Sequence, residues 1–160
     1  LDHADAFVAA EALIELNRAA YRPFNLVLAD NRDAYWLRHD GSGPITSQVI
    51  PEGFSMFTAQ DMNSTQSPRV ETYLPRFEAA AIPDPEEDNW QAWENLLASQ
   101  VFSDKCAQHE GAMCVTTDFG FGTVNASLIA LPAFSDPVRR PIWRFSAGAP
   151  DKNFFFDIGT

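Results

Sequence analysis

Apolar positions along the 160-residue chain change their spacing several times, and each change marks an element. From Leu1 to Tyr21, Phe7, Ala10 and Ile14 fall on one stripe with Leu13 beside it. That spacing predicts an amphipathic helix, capped by Asp2 or Asp5. The helix should end before Pro23, because Arg22 precedes a proline and favours extended backbone. The period then shortens. Leu26-Val27-Leu28-Ala29 and Ala34-Tyr35-Trp36-Leu37 are apolar runs joined by Asp30-Asn31-Arg32-Asp33, which predicts a hairpin. Turns at Asp40 to Pro44 and at Pro51-Glu52-Gly53 set off weaker strands, Thr46 to Ile50 and Phe54 to Thr58. Residues 23–58 thus read as an antiparallel meander.

Ser67 followed by Pro68 is a helix start, and Pro75 should kink or split the helix that follows. Across 82–100, Trp90, Trp93 and Leu97 share a helical face with Leu96 adjacent. Residues 103–110 are polar and read as a loop. Strands are expected at 112–117, at 120–132 and at 139–148, the last on a sheet edge because Pro141 cannot donate a ladder bond. Phe154-Phe155-Phe156 must pack or form an apolar patch. Helix, strands, helices, strands is the order of an α+β fold with antiparallel sheets. No repeat or linker divides residues 1–160, so a single domain is expected.

Composition narrows the function. Apolar residues make up 46% of the chain, with 13 Phe and 4 Trp, which argues against disorder. Eleven basic against 22 acidic residues give a net charge of −11, which disfavours nucleic acid and anionic membrane surfaces as partners. There is no apolar run near ~20 residues, so no membrane span is expected. Cys106 and Cys114 match no zinc spacing and read as free thiols in a reducing, cytoplasmic setting. The chain begins at Leu1 rather than Met, which raises the expectation of a preceding segment.

Candidate chemistry is sparse. An Arg–carboxylate pair in Asn31-Arg32-Asp33 could anchor a substrate, but its place between two strands favours a turn. His3, His39 and His109 show no metal-ligand spacing, and neither a metal nor a cofactor is expected. Cys114, between Met113 and Val115, reads as a buried thiol. No Ser sits in a GxSxG elbow. Gly120-Phe121-Gly122-Thr123 lacks the Lys of a phosphate loop. In the polar loop from Thr58 to Arg69, Asp61, Asn63 and Arg69 are either site residues or capping groups. Alternation along the expected strand puts Thr123, Asn125 and Ser127 on one face, which suits a cleft or a solvated sheet face alike.

Four blocks carry a resemblance: YRPFNLVLADNRDAYWLRHDG, SMFTAQDMNSTQSPRVETYLPRF, GAMCVTTDFGFGTVNASLIALP and RRPIWRFSAG. In this order they resemble the C-terminal part of the NRDE family, that of transport and Golgi organisation protein 2. The resemblance implies part of an Ntn-hydrolase-like αββα sandwich. It implies the family's Cys and Asn-Arg-Asp-Glu tetrad upstream, on the missing N-terminal segment, with Asn31-Arg32-Asp33-Ala34 a coincidental turn. The family's Gly-Thr-Arg reads Gly122-Thr123-Val124 here, and its Ser-Asn reads Thr58-Ala59, so polar groups that hold substrate are gone. The function so implied is binding or trafficking of a small apolar or acyl-type ligand, of the haem or acyl-CoA class. Thr58, Asp61, Asn63, Arg69, Thr123, Asn125 and Ser127 are its candidate ligand-binding residues, and none is catalytic. The alternatives are an amide hydrolase whose N-terminal Cys lies upstream, and a purely structural unit that completes another chain's sandwich.

Overall fold

The computed structural model describes residues 5–136 and 138–159; Asp2 and His3 lie outside them. Helix α1 (Ala6–Ile14) opens at Asp5, whose carboxylate accepts from the backbone N–H of Phe7 and Val8. Its buried positions are Ala6, Ala9 and Ala10, not Phe7, which is half exposed and leans on Tyr35. Small side chains let the helix approach the sheet closely. A short 3₁₀ turn (Arg18–Ala20) follows and leads to the first sheet.

That sheet is β1 (Phe24–Ala29), β2 (Ala34–His39) and β3 (Thr46–Val49), antiparallel in this order. The β1–β2 register runs from Phe24 opposite His39 to Ala29 opposite Ala34. Helix α1 covers the face bearing Leu37, and Ala10, Leu37 and Ile45 form the core there with Leu13, Ile14, Phe24, Leu28 and Tyr35 packed around them. The opposite face takes the 50–67 loop, where Phe57 meets Trp36 at 5.6 Å. The strand expected at Phe54 to Thr58 is absent. Asn63, at φ 58°, clamps this stretch instead: its Oδ1 accepts from Met56 N–H (2.7 Å), and its own N–H donates to Met56 O (2.9 Å).

Helix α2 (Pro68–Ala79) runs through Pro75 as one element, so the expected split does not occur. Proline removes one N–H, and Val70 and Tyr73, both fully buried, hold the helix in place. The helix expected over 82–100 is confined to α3 (Gln91–Leu97). Ahead of it, Asp84 and Asn89 exchange two backbone hydrogen bonds of 2.9 Å and close a tight loop, with Asp88 at φ 51°. Asp84 accepts from Glu86 N–H and so caps a turn instead of a helix. Trp93 packs between Phe54 and Phe77. The polar stretch 103–110 contains the start of a one-turn helix, α4 (Gln108–Gly111).

The second sheet is β4 (Ala126–Ala130), β5 (Ile142–Ser146) and β6 (Phe156–Asp157), again antiparallel in this order, so β5 is central and not at the expected edge: Pro141 precedes it and takes no ladder position. Residues 112–117 form no regular strand. A single bridge joins Thr116 to Gly122, and the turn between them needs Gly120 at φ 84°. The 120–132 stretch is strand only from Ala126 onward.

One face of this sheet carries Leu128, Arg144 and Ser146, all largely buried. Arg144 lies 5.8 Å from the Trp90 ring and reaches Asp88, Glu94 (3.4 Å) and Asp157 (3.7 Å), tying β5 to α3. The other face exposes Ile129 (62%), Trp143 (43%) and Phe156 (50%). Trp143, Phe145 and Phe156 stand edge to face in a row. Of the three tail phenylalanines, Phe154 is almost fully exposed. The architecture is α+β, with two antiparallel three-stranded sheets and four α-helices among the described residues. None of those helices is long and apolar enough to cross a membrane.

Candidate functional site

The expected site residues are dispersed. Thr58 and Asp61 lie beside the open end of the β1–β2 ladder. A cleft of about 380 Å³ there is lined by Phe24, Asn25, Arg38, His39, Asp40 and Thr58. Asn25 spans it: its amide donates to Thr58 O (2.7 Å) and accepts from Trp36 Nε1–H (2.9 Å). Arg38 pairs with Asp61 at 2.9 Å. His39 is buried at 3% exposure, with no hydrogen-bond partner at Nδ1. Asp40 accepts from Gly43 N–H, Ser42 N–H and Ser42 Oγ–H, and these bonds hold its carboxyl well below the ordinary range. The one guanidinium among the described residues here, Arg38, is already paired with Asp61, so the cleft offers an anionic ligand no unpaired cation.

Asn63, Arg69 and Thr123 spend their polar atoms on backbone. Asn63 is the loop clamp described above. Arg69 donates to Ala112 O (2.6 Å) and His109 O (2.8 Å), tethering α2 to the segment around α4. Thr123 Oγ1 accepts from Val115 N–H at 2.9 Å. Thr123 and Asn125 precede β4, so the expected three-residue strand face reduces to Ser127. Ser127 stands on the aromatic face and accepts from Trp143 Nε1–H at 3.2 Å.

The Asn31-Arg32-Asp33 corner is a turn. Asp30 organises it, accepting from Arg32 and Asp33 N–H and also from Ala6 N–H at the start of α1. The Ala6 bond does most to depress the Asp30 carboxyl below its ordinary value. Arg32 lies over the Phe134 ring, 3.6 Å from its centre.

Neither thiol is primed for attack. Cys114 is buried and its Sγ–H donates to Asp151 (3.2 Å); burial pushes its pKa up. Cys106 donates to Ser103 O at 3.4 Å. Among the described residues no group of three or more His, Cys, Asp or Glu is placed to hold a metal.

A larger concavity was not marked by any motif. A groove of about 800 Å³ lies between the Asp84–Asn89 loop and the segment leaving β4. Its apolar lining is Pro85, Ala130, Leu131, Pro132, Ala133 and Ile142. Its charged lining is Arg139 and Arg140 with Asp84, Glu86 and Asp136. Arg139 is engaged by Glu86 and, at 3.3 Å, by Asp136, and the Glu86 bond raises its pKa further. Arg140 is exposed and makes no ion pair among the described residues. An apolar lining with a few charged groups is the usual form of a small-molecule site, and the volume falls in the range of such sites. The sequence signal was Ala-Leu-Pro-Ala after a strand together with Arg139-Arg140 before the next, a pairing visible only once β4 and β5 are neighbours.

No family model, curated protein or solved structure matches the chain.

Proposed function

We propose that the chain is a non-catalytic binding module of the NRDE type that takes a small apolar or acyl-type ligand, of the haem or acyl-CoA class. The observation that carries this reading is the groove between the Asp84–Asn89 loop and the β4 exit, lined by apolar residues and by Arg140, unpaired among the described residues. An acyl chain or porphyrin edge would lie on Leu131 and Ile142, and a carboxylate or phosphate would meet Arg140. The charge of −11 opposes a ligand with many negative groups, so binding of an acyl-CoA is expected to strengthen with salt and binding of haem to respond less.

The family part of the proposal rests on the four sequence blocks and on how they adjoin. The second block meets the first through Asn25 and Thr58, the third through Arg69 and Ala112, and the third pairs with the fourth as β4 and β5. The second sheet has one largely buried face and one bearing exposed apolar groups, a pattern that suits one half of an αββα sandwich. The hydrolase alternative places its Cys nucleophile upstream, so Cys106 and Cys114, both hydrogen-bond donors as thiols, take no part in it.

Titrating the protein with hemin and with palmitoyl-CoA, read by tryptophan fluorescence, tests the proposal. Saturable binding is expected, weakened on the order of tenfold by Leu131→Asp, which places a charge in the apolar lining. Arg140→Glu should weaken palmitoyl-CoA most at low salt. Absence of saturable binding, or binding unchanged in both variants, would refute it.

A further inference from the structure

Strand β1 is the edge of its sheet. Antiparallel pairing fixes which of its backbone groups are already used. Asp30 N–H donates to Asp33 O, and Ile50 N–H donates to Ala34 O on the far side of β2. With the β1–β2 register, alternation then turns residues 24, 26 and 28 towards β2 and leaves Asn25, Val27 and Ala29 with N–H and C=O directed outward. Those outward groups make no hydrogen bond within the chain among the described residues.

The edge also lacks the features that keep sheet edges apart. Between Phe24 and Ala29 there is no charged residue, no proline and no bulge. Leu26 and Val27 are 36% and 45% exposed on opposite faces. Helix α1 packs chiefly on β2 and leaves the edge open. The other edge of the same sheet, β3, is short and reads Thr46-Ser47-Gln48-Val49.

We infer that this edge pairs with a second copy of the chain, β1 against β1 antiparallel, about a two-fold axis through Val27. The edge is self-complementary. Centred on Val27, the pairing sets Val27 opposite its own copy and Asn25 opposite Ala29, so every outward N–H and C=O of these residues finds a partner. No proline interrupts this register, whereas centring on Leu26 would place Pro23 opposite Ala29 and lose a donor. The Val27 register also sets Leu26 against Leu28 of the second copy twice over, building an apolar quartet on the α1 side. Two three-stranded sheets become one continuous sheet, and the exposed Leu26 and Val27 side chains are covered.

Sedimentation equilibrium on the full chain across the micromolar range tests this. The wild type is expected at twice 17.8 kDa as concentration rises. Val27→Lys and, independently, Ala29→Lys should weaken the dimer on the order of tenfold or more, with far-UV circular dichroism unchanged. Ile129→Lys, on the aromatic face of the other sheet, should leave it intact. A wild type that stays monomeric overturns the inference and leaves the edge to a strand of another protein. A dimer that tolerates both lysines, or one that Ile129→Lys abolishes, also overturns it.

Discussion

Removing one oxygen from Tyr73 gives a sharp test of how the middle of the chain is held. Tyr73 is completely buried, and its hydroxyl lies 2.7 Å from Val101 O, 2.8 Å from Ser99 Oγ and 3.1 Å from Ser99 O. A phenol has one proton to give. The shortest contact assigns it to Val101 O, and Ser99 Oγ–H then donates to the phenol oxygen. Tyr73→Phe keeps the ring and leaves both partners short of a bond, at a cost of about 1–3 kcal/mol where no water replaces it. Val101 is half exposed and Ser99 half-buried, so water can reach part of this network and the lower half of that range applies. For a chain of this length the melting temperature should fall by about 2–8 °C. Urea unfolding of the wild type and variant would show it as a lower midpoint at unchanged slope. A loss under about 0.3 kcal/mol, or a changed slope, would refute the assignment of Tyr73 as the peg between α2 and the 99–101 segment.

Other consequences follow from individual side chains. Arg144→Met should cost about 2–4 kcal/mol in chemical denaturation, because it strands the half-buried Glu94 carboxylate, whereas Asp88→Asn, at an exposed partner, should stay within about 0.5 kcal/mol. Asp30 has a depressed folded pKa, so its contribution is complete above the ordinary carboxylate pKa and lost as pH falls through the lower folded value. Asp30→Asn should therefore reduce stability near neutrality and flatten the acid limb below about pH 4, measured as urea midpoint against pH. Cys106 should react with Ellman's reagent in the native protein, and the buried, Asp151-bound Cys114 only after unfolding; equal rates would contradict their placement.

The elements that the sequence made legible are those whose signals are local. The hairpin from Phe24 to His39 could be read because two apolar runs flank Asp30, whose carboxylate shapes the turn by itself. Helix α2 announced its start with Ser67-Pro68. What was misread depends on distant partners. The strand expected at Phe54 to Thr58 is held out of a sheet by Asn63, and the turn at Asp84–Asn89 replaces helix because Asp84 finds backbone donors in the loop itself. At the site level, Arg69 and Thr123 carry polar groups that suit a ligand as well as a carbonyl, and composition alone does not tell these uses apart. The groove is built from Ala130 to Ala133, Ile142 and Arg140, ordinary residues whose convergence arises only from the β4–β5 pairing.

Amide hydrogen exchange with and without bound palmitoyl-CoA tests the central claim most directly, since it reports where the ligand sits. Slowed exchange is expected only in 84–86, 130–136 and 138–142, around the groove. Protection centred instead on the Asn25–Thr58 cleft, or no protection anywhere, would contradict it.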